Sequence, residues 1–401
     1  MTERTETYPT IRLRPKADAR ALRHGFPWVY ADELVTDRRT KALAPGSIAR
    51  LEDAERRPLG IVAVTPASRI IARMLDRDPE AVIDRAWCAA RIARAQEMRA
   101  RLHEAPFYRL VHAEADGLPG LVIDRFGAAC VFQPNAAWAD RMSADLAAAL
   151  ADVTGCTSIV KNGTGRARAL EGLPEETEVV LGALDGPVPV PMNGATYMAD
   201  LLGGQKTGLF YDQRPNHAFA ARLASGARVL DVFSHVGGFA LAALAAGATS
   251  ATCIDGSAPA LELAQAGART SGMADRLTTR KGDAFAEMEA LAAEGALFDL
   301  VICDPPAFAP SKQVLDAGLR AYERVARLAA GLVAPGGYLV LCSCSHAADL
   351  TRFRNASARG IGRGGRRAQL LHTGFAGPDH PMLPQLAESG YLKALFFRLA
   401  P

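Results

Sequence analysis

The sequence lacks the features of a membrane protein, a secreted protein and a disulfide-stabilised protein. Its apolar runs, such as residues 239–248, reach about ten residues, whereas a helix needs about 20 to cross a bilayer. The first 16 residues are rich in charged side chains and contain no apolar core, so no secretory signal peptide is predicted. The 7 cysteines include no C-x-x-C pair, which argues against a disulfide framework and a zinc ribbon. We therefore expect a cytoplasmic protein without a metal site.

The chain also lacks a strong overall charge. Its 46 Lys and Arg residues and 43 Asp and Glu residues leave a net charge of +3, which favours a polyanionic partner only weakly. Any such preference is expected to be local, and residues 1–75 are the basic part, with 14 Lys and Arg against 9 Asp and Glu. The length of 401 residues, 49% of them apolar, is enough for two or three domains with cores of their own.

The pattern of apolar residues changes twice along the chain and predicts three domains. Short β-rich runs separated by turn residues fill residues 1–77 and predict a small barrel or sandwich. Residues 78–195 mix Ala-rich helical runs with strands and predict an α+β domain, whose Pro- and Gly-rich stretch at 182–193 is typical of a connection between domains. In residues 196–401, apolar strands alternate with helices, which predicts an α/β domain with a doubly wound parallel sheet.

Ligands of such a sheet bind beyond the carboxyl ends of its strands, so the residues that follow each strand are the candidates for function. The first strand ends at Asp231, and Phe233, Ser234, Gly237 and Gly238 follow it. The two glycines permit a tight turn and the close approach of a ligand to the start of the next helix. The G-x-G-x-x-G pattern of dinucleotide-binding turns is absent, so an NAD-dependent oxidoreductase is a remote alternative.

Two more carboxylates follow the next two strands. Asp255 is placed to accept hydrogen bonds from ribose hydroxyls, and Asp283 from the amino group of an adenine. Together with Asp231 they predict binding of S-adenosylmethionine, because its sulfonium cation tolerates an acidic pocket that ATP or NAD would not. Taken singly, each carboxylate is as well explained as a helix N-cap.

The fourth strand ends in Asp304, Pro305 and Pro306. The two prolines fix an extended backbone and hold Asp304 at the mouth of the cleft, where it can contact the cofactor and a planar base. Methylases of exocyclic amines place an aromatic residue directly after the second proline, whereas Ala307 stands here and Phe308 comes one residue later. Methylation of an exocyclic amine is therefore disfavoured, and Phe308 is a candidate contact for RNA.

The fifth strand ends at two cysteines, Cys342 and Cys344. Cytosine C5 is a poor nucleophile, so its methylation requires a thiolate that adds at C6 and turns C5 into an enamine-like carbon. A cysteine beyond this strand, facing Asp304, meets that requirement, and Cys344 is the predicted nucleophile. Cys342 is a competitor that we expect to pack in the sheet, and Cys253 and Cys303 are expected in the core.

Several strings of residues resemble those of a known family, the bacterial large-subunit (23S) ribosomal RNA cytosine-C5 methyltransferases that carry an N-terminal PUA domain. The resemblance runs nearly end to end and is carried by residues 25–29, 114–121, 204–214, 233–239, 304–306, 342–346, 379–381 and 391–393. It implies a PUA fold for the N-terminal part, a central α+β domain and a class I, Rossmann-like methyltransferase domain in which Cys344 attacks. A second cysteine that related enzymes use for product release is replaced by Ala307, so no base is assigned to removal of the C5 proton.

The string at 204–214 looks like the family's cover over the cofactor. The resemblance implies that Gln205, Lys206 and Thr207 bind S-adenosylmethionine, and Lys206 and Arg214 could also meet phosphate. A helix start with solvated charges is the alternative for this segment.

Six arginines and no acid occur between residues 351 and 370. A basic, flexible stretch beside the nucleophile could neutralise RNA phosphates, with Arg363 and Arg366 as the candidates. A solvated surface loop explains the same composition.

The leading hypothesis is transfer of a methyl group from S-adenosylmethionine to C5 of a cytidine in large-subunit ribosomal RNA, through a covalent Cys344 adduct and with Asp304 holding the N3/N4 edge. The first alternative is methylation of a guanine ring nitrogen in ribosomal RNA, which needs no thiol. The second is a non-catalytic RNA-binding assembly factor. We expect no membrane partner, and whether the chain forms a homodimer is left open.

Overall fold

The computed structural model describes residues 8–204 and 207–400, without the side chains of Arg166 and Glu388. The described chain forms two compact units. The first contains residues 8–186, 201–204, 207–208 and 379–389, and the second contains residues 187–200, 209–378 and 390–400. None of the described helices has both the length and the apolar character that crossing a membrane requires. The predicted domain boundaries near residues 77 and 195 stay predictions.

The first unit begins with a five-stranded sheet, as the short β-rich runs predicted. The strands are β1 (Thr10–Arg12), β2 (Trp28–Tyr30), β3 (Ser47–Glu52), β4 (Pro58–Val64) and β5 (Ile70–Asp76), with helices α1 (Ala19–Arg23) and α2 (Arg38–Lys41) between them. Their order in the sheet is β1-β3-β4-β5-β2. Asp18 and Asp37 cap the two helices by accepting hydrogen bonds from the backbone N–H groups of Ala21 and Thr40.

A second sheet of the first unit is mixed, which confirms the expected α+β character of the central part. Its elements are α3 (Arg85–Leu102), β6 (Phe107–His112), β7 (Leu121–Phe126), β8 (Ala129–Pro134), α4 (Ala137–Arg141), α5 (Ser143–Thr154), β9 (Ser158–Asn162), α6 (Arg166–Leu170) and β10 (Thr177–Leu181). The order is β10-β9-β8-β7-β6, and β8 and β9 run parallel while the other neighbours are antiparallel. Its apolar face packs on α3 and α5 around Trp87, Ile92 and Phe132.

The second unit is built around a seven-stranded sheet. Its elements are β11 (Val188–Met192), β12 (Ala195–Ala199), α7 (Arg214–Ala221), β13 (Arg228–Val232), α8 (Gly238–Ala245), β14 (Ser250–Asp255), α9 (Ala258–Thr270), β15 (Leu277–Lys281), α10 (Ala284–Ala293), β16 (Phe298–Cys303), α11 (Leu315–Leu332), β17 (Val333–Ser343), α12 (Leu350–Arg363), β18 (Ala368–Gly374) and β19 (Lys393–Leu399). Short 3₁₀ turns of the second unit lie at Tyr211–Gln213, Ala274–Arg276 and Lys312–Val314. Those of the first unit lie at Ala113–Asp116 and Ala387–Ser389.

The strand order of this sheet is β15-β14-β13-β16-β17-β19-β18. The first five strands of that order run parallel, whereas β19 pairs antiparallel with both β17 and β18. The order reverses between β13 and β16, and in a doubly wound sheet this reversal opens the cleft that receives a ligand. The expected doubly wound sheet is thus confirmed, and the ends of β13, β16 and β17 border its cleft.

The stretch at 182–193 is more regular than the predicted connection. Val188–Met192 forms β11, which pairs antiparallel with β12 across a turn at Asn193 and Gly194, both at positive φ. Asn-Gly is the residue pair that a type I′ hairpin turn requires, and prolines are tolerated in this strand because it lies at an edge. The boundary between the two units, at residues 186 and 187, lies within this stretch, and the part that follows the boundary is a strand.

Most of the basic stretch at 351–370 is helical, so the alternative of a surface loop was wrong. Asp349 caps α12 by accepting a hydrogen bond from the backbone N–H of Arg352 (2.8 Å), and β18 begins at Ala368. The apolar side chains of α12, Phe353 and Ile361 among them, pack into the core of the sheet. Four of the six arginines, Arg352, Arg354, Arg359 and Arg363, lie on the outer face of this amphipathic helix, and Arg366 and Arg367 follow its end.

Candidate active site

The end of β13 carries a buried carboxylate with incomplete hydrogen bonding. Asp231 is 1% exposed, and its Oδ2 accepts a hydrogen bond from the backbone N–H of Ala240 (2.9 Å). Its Oδ1 has no hydrogen-bond partner among the described residues. Burial raises the pKa of Asp231 to about 7, and the nearby charges of Asp304 and Asp255 act in the same direction. Keeping Asp231 ionised in this buried place therefore costs free energy. A cationic ligand at this edge, such as the sulfonium or ammonium group of S-adenosylmethionine, would reduce that cost.

The loop after β13 has an unusual backbone. Phe233, His235 and Gly237 all lie at positive φ (63°, 49° and 78°), which is costly for the two residues that carry side chains. Asp255 holds the loop in place, because its Oδ2 accepts from the backbone N–H of His235 (2.8 Å) and its Oδ1 from that of Ser257 (2.8 Å). The carboxylate predicted to bind ribose thus shapes the turn, and each of its oxygens keeps a further lone pair for a ligand.

The two glycines of this loop differ in what surrounds them. A side chain at Gly237 would be strained by the positive φ and would meet Ala264 at 3.2 Å. A side chain at Gly238 would lie 2.7 Å from the imidazole of His217, so packing within the protein explains this glycine. Burial lowers the pKa of His217 to about 3, so the ring is neutral. Contact of either glycine with a ligand stays a prediction.

The remaining predicted cofactor residues are placed as follows. Asp283 is exposed, and its Oδ1 caps α10 by accepting from the backbone N–H groups of Phe285 (3.1 Å) and Ala286 (3.0 Å). Ser234 is buried in the loop after β13, and Thr207 is buried in the first unit. Gln205 and Lys206 lie outside the described residues. The roles of these residues toward the cofactor stay predictions.

The end of β16 is held by a side chain that the sequence analysis did not identify. Asp304 is half-buried, and its Oδ2 accepts a hydrogen bond from Nε2 of Gln213 (2.9 Å). Oε1 of Gln213 in turn accepts from Nδ2 of Asn216 (2.6 Å), and both amides are buried. The sequence did contain a signal for this contact. Gln213, within the string at 204–214, and Asn216 are two amides three residues apart at the start of a helix.

The aromatic residue after the two prolines lies in a cluster of rings. The ring centroid of Phe308 lies 6.4 Å from that of Phe233, 6.2 Å from that of Phe285 and 5.0 Å from that of Tyr322. The half-buried ring therefore stabilises the edge of the sheet, where the loops after β13, β15 and β16 meet. A contact between Phe308 and RNA stays a prediction.

The predicted nucleophile stands apart from the other cysteines. Cys344 is partly exposed, whereas the other six are buried. Cys253, Cys303 and Cys342 lie in the core as expected, and burial raises the pKa of each of these thiols. Cys303 pairs with Leu341 in the parallel ladder of β16 and β17, so Asp304 and Cys344 follow one and three residues later at the same edge of the sheet.

A network of hydroxyl groups joins the loops that carry Asp304 and Cys344. Ser345 Oγ accepts a hydrogen bond from the backbone N–H of Ala309 (2.9 Å) and lies 2.7 Å from the hydroxyl of Tyr322. Ser343 Oγ donates to the same Tyr322 hydroxyl (2.9 Å). Because these groups are buried, the loop after β16 and the turn after β17 are fixed to each other.

A buried lysine supports the turn that carries Cys344. Lys393 Nζ donates to the backbone carbonyl oxygens of Ser345 (2.7 Å) and Ala348 (2.8 Å). Burial lowers the pKa of Lys393 to about 8, and the charges of Cys344 and Asp349 act against that shift. In the sequence, Lys393 is part of the string at 391–393. A single lysine beside the apolar run 394–397 indicates a buried charge with a specific role.

The arginines predicted to bind RNA are placed differently from one another. The Arg363 side chain is 70% exposed and forms an ion pair with Glu323. Arg366 donates to four backbone carbonyls, those of Ala330, Val333 (2.7 Å), Ala334 and Ala400. A phosphate would have to compete with these bonds, so Arg366 closes the end of α11 in this structure.

Arg214 starts α7 and is half-buried, with its guanidinium 5.1 Å from the ring centroid of Tyr211. Its predicted phosphate contact, like that of Arg363, stays a prediction. Within residues 8–204 and 207–400, no cluster of His, Cys, Asp and Glu is suited to hold a metal ion.

Comparison with family models divides the chain in a similar way to the sheets. Residues 181–398 match the model of the S-adenosylmethionine-dependent methyltransferases, and residues 11–77 match that of a PUA-like domain. The PUA-like fold expected for the N-terminal sheet and the methyltransferase fold expected for the seven-stranded sheet are thereby confirmed.

Relatives with assigned names align over nearly the whole chain. A ribosomal RNA large subunit methyltransferase I of Shewanella amazonensis is 35% identical over 394 residues, which are 97% of this chain and 99% of the relative. A ribosomal RNA large subunit methyltransferase of Deinococcus radiodurans is 35% identical over 408 residues, with 98% of each chain covered. A solved methyltransferase structure in complex with SAH has the same fold, with a TM-score of 0.81 at 18% identity over 97% of this chain and 100% of the other.

Proposed function

Because the chain belongs to the S-adenosylmethionine-dependent methyltransferase family that includes the ribosomal RNA large subunit methyltransferases I, we propose that it methylates C5 of a cytidine in large-subunit ribosomal RNA. The observation that carries the proposal is the position of Cys344. It is the one partly exposed cysteine of the seven, and it follows the strand that neighbours the strand of Asp304. Methylation of a guanine ring nitrogen would give this thiol no task.

The residues at the end of β13 fit the cofactor. Asp231 offers an oxygen without a hydrogen-bond partner among the described residues and a charge that burial disfavours. Asp255 lies at the end of the neighbouring strand, where ribose hydroxyls can reach its second lone pairs. Bound S-adenosylmethionine supplies an electrophilic methyl group on a positively charged sulfur. We assign Asp231 and Asp255 to its binding, with Asp283 as a further candidate.

Cys344 provides the nucleophile that cytosine lacks. Its thiolate forms a bond to C6 of the pyrimidine, and the displaced π electrons make C5 nucleophilic. C5 would then bond to the methyl carbon of bound S-adenosylmethionine while the bond from that carbon to the cofactor's sulfur breaks, which leaves S-adenosylhomocysteine. Transfer of the C5 proton to water and cleavage of the bond between the Cys344 sulfur and C6 restore the aromatic ring and the thiolate. Asp304 holds the N3/N4 edge during these steps, either accepting from the N4 amino group or donating a proton toward N3.

Lys393 makes the thiolate easier to form. Its ammonium is buried in the turn that carries Cys344, and it is bound to two carbonyl oxygens of that turn. A fixed positive charge near a thiol favours the ionised form, which is the reactive one. The hydroxyl network around Tyr322 keeps this turn and the loop of Asp304 at a constant separation, which a covalent attack on a ring held by Asp304 requires.

Contact with RNA is assigned to two surfaces. The PUA-like part, residues 11–77, is basic, with 14 Lys and Arg against 8 Asp and Glu. The exposed arginines of α12, with Arg363 among them, lie on a helix that starts seven residues after the end of β17. Both surfaces would act on the phosphate backbone and would therefore bind less tightly as the salt concentration rises.

The test is covalent trapping. Large-subunit ribosomal RNA transcribed with 5-fluorocytidine is incubated with S-adenosylmethionine and the protein, because fluorine at C5 cannot leave as a proton and the adduct persists. The wild-type protein and the matched control Cys342→Ala are expected to form the adduct, and Cys344→Ala is expected not to. On ordinary transcript, Cys344→Ala should lose about 1000-fold or more in methylation rate.

Mass analysis of the nucleosides identifies the product at the same time. 5-Methylcytidine supports the proposal, and a methylguanosine would replace it with the ring-nitrogen reaction. A Cys344→Ala protein that methylates at the wild-type rate would refute the covalent mechanism. Calorimetry with S-adenosylmethionine separates an enzyme from an assembly factor, since a protein without transferase activity has no need of the pocket carboxylates.

A further inference from the structure

We propose that Gln213 is a positioning residue for Asp304, and that Asn216 fixes the orientation of Gln213 so that its amide can only donate to the Asp304 carboxyl group. The inference rests on the proposed function, because it assigns a partner to the group that holds the pyrimidine. The three side chains belong to the second unit and connect the start of α7 with the end of β16.

The orientation of both amides follows from one carbonyl. Asn216 Nδ2 donates to the backbone carbonyl oxygen of Phe375 (3.2 Å), and a carbonyl can only accept. The atom of Asn216 on that side is therefore nitrogen, and the same nitrogen lies 2.6 Å from Gln213. Gln213 must accept there with Oε1, which leaves its NH₂ group for Asp304. The direction of each hydrogen bond in this chain is fixed.

The amide chain is buried and tightly packed. Gln213 is 3% exposed and Asn216 is 1% exposed. A side chain at Gly374 would lie 1.9 Å from Oδ1 of Asn216, so Asn216 fills the space that this glycine leaves at the end of β18. Neither amide can rotate without displacing backbone, and a hydrogen bond held this rigidly costs little entropy when the substrate binds.

The consequence for the chemistry concerns the proton on Asp304. An N–H donor 2.9 Å from Oδ2 cannot accept a proton from that oxygen. While Gln213 is bound, its N–H favours a proton of Asp304 on Oδ1, because the carbonyl-type oxygen of a carboxyl group is the better acceptor. Gln213 thus assigns different tasks to the two oxygens of the carboxyl group, which a side chain that donates or accepts at the N3/N4 edge of cytosine requires.

Gln213 also acts on the neighbouring strand. It lies near the buried thiol of Cys342 and acts against the rise that burial causes in the pKa of that thiol. The titratable groups that face Asp304 from the neighbouring elements are Asp231 on β13, Cys303 on β16 and Cys342 on β17. None of them replaces the donor that Gln213 supplies, because a thiol is a weaker hydrogen-bond donor than an amide and an ionised Asp231 can only accept.

Two variants of nearly equal size test the proposal in the full-length protein. Gln213→Met removes the donor, and Gln213→Glu replaces it with a second carboxyl group. A hydrogen bond to a charged group contributes about 1.5–3 kcal/mol, which corresponds to a fall in kcat of about 10- to 150-fold. KM for ribosomal RNA and the Kd of S-adenosylmethionine should change less than about threefold, because neither amide contacts them in the proposal. The matched controls are Gln265→Met and Gln265→Glu, at an exposed glutamine bonded to Thr279 (2.7 Å).

The pH profile separates positioning from a structural role. A carboxyl group at position 213 disfavours the ionised form of Asp304, so the limb of the rate profile that reports Asp304 should move to higher pH by about one unit in Gln213→Glu and not in the controls. An unchanged rate and profile would overturn the inference. Loss of S-adenosylmethionine binding together with a large fall in Tm in both variants would assign Gln213 to folding and overturn it as well. Wild-type formation of 5-methylcytidine, measured in parallel, keeps this failure distinct from failure of the proposed function.

Discussion

The two units each contain a cluster of buried polar side chains, and the clusters differ in how completely their members are paired. In the first unit, Arg99 binds Asp116 with two hydrogen bonds (2.6 and 2.8 Å) and donates to the carbonyl oxygen of Asp379. The Asp379 carboxylate in turn accepts from the backbone N–H of Arg109 and lies 2.9 Å from His380 Nδ1. Each buried charge in this chain of contacts meets an opposite charge or a hydrogen-bond donor.

The cluster at the strand ends of the second unit is incomplete by the same measure. Asp231 keeps an oxygen without a hydrogen-bond partner among the described residues and lies near the charges of two other carboxylates. Lys393 donates to two neutral carbonyls, and no carboxylate of the described chain forms an ion pair with it. A complete cluster stabilises the fold, whereas an incomplete one leaves interaction energy for a ligand. Residues 379–381 also belong to the family resemblance, but the charged groups there are paired. This pairing distinguishes them from the residues of the candidate site.

The largest expected effect is on the complete cluster. Arg99→Met keeps most of the side-chain volume and leaves Asp116 buried without its partner, which should lower the free energy of unfolding by about 3–5 kcal/mol. The control is Arg101→Met on the same helix, where the side chain is 77% exposed and pairs with Glu97, and it should change stability by less than about 0.5 kcal/mol. Urea unfolding measures both, and calorimetry should show unchanged affinity for S-adenosylmethionine. Equal stability of the two variants would contradict the assigned role of the cluster.

The second prediction concerns Asp231, where removing a charge should stabilise the protein. Its pKa in the folded protein, about 7, lies above the ordinary value of 3.8. Between these values the native state holds a proton that the unfolded chain has lost, so stability falls as pH rises through this window and the loss is complete above pH 7. Asp231→Asn should therefore be more stable than the wild type at pH 8, by up to about 4 kcal/mol, and equally stable near pH 4.

The same variant should bind S-adenosylmethionine at least about tenfold more weakly, because it lacks the charge that faces the cation. Asp275→Asn, at an exposed carboxylate of a 3₁₀ turn, is the control and should change neither property. Thermal unfolding at the two pH values and calorimetry at pH 8 measure the two effects. A variant that is less stable than the wild type at pH 8 would show that Asp231 is paired in solution and that the site is as complete as the cluster of the first unit.

Sequence patterns predicted which segments form strands of the sheet better than they predicted how those strands pair. The parallel strands were recognisable because buried strands of such sheets are short apolar runs between helices. The antiparallel insertion of β19 between β17 and β18 was not, since it depends on pairing between Cys342 and Ala394, residues more than fifty positions apart in the chain. Helix α12 was missed because its arginine content outweighed the spacing of Phe353 and Ile361, which is the spacing of a helical face.

The candidate site shows the same limit. Asp304 and Cys344 follow strand ends and were found from their positions alone. Gln213 and Lys393 were not, because their roles arise from hydrogen bonds to residues 91 and 48 positions away. Arg366 carries the same charge as Arg363 in the same stretch, and only the structure shows that carbonyl groups of α11 and its neighbours bind it. Residue type and position therefore nominate the candidate groups, and only tertiary contacts show the side chains that hold them.

The third prediction concerns Lys393 and the reactivity of the Cys344 thiol. Lys393→Met removes the buried ammonium, so the Cys344 thiolate should become scarcer and alkylation by iodoacetamide at pH 7 should slow by about tenfold. The other six cysteines are buried, so the reagent reports Cys344 selectively. Lys312→Met, at an exposed lysine of a 3₁₀ turn, should react at the wild-type rate. If Lys393→Met reacted as fast as the control, the buried cation would serve only the backbone of the turn.

The smallest expected effect returns to the first unit, where pH should act with the opposite sign from Asp231. Burial lowers the pKa of His112 to about 2, with the positive charges of Arg109, His380 and Arg99 acting in the same direction and Asp379 against it. Between pH 6.5 and pH 2 the unfolded chain binds a proton that the native state does not, so stability is lost as pH falls through this window. His112→Asn keeps an acceptor for Arg109 and cannot titrate, so between pH 7 and pH 5.5 it should lose about 1 kcal/mol less stability than the wild type. His24→Asn, at an exposed histidine of the same unit, is the control and should follow the wild type. If His112→Asn and the wild type lost equal stability as the pH falls, the inference would be contradicted. That result would mean that the cluster of the first unit opens locally and lets water reach the ring, so that His112 gains its proton without unfolding of the chain.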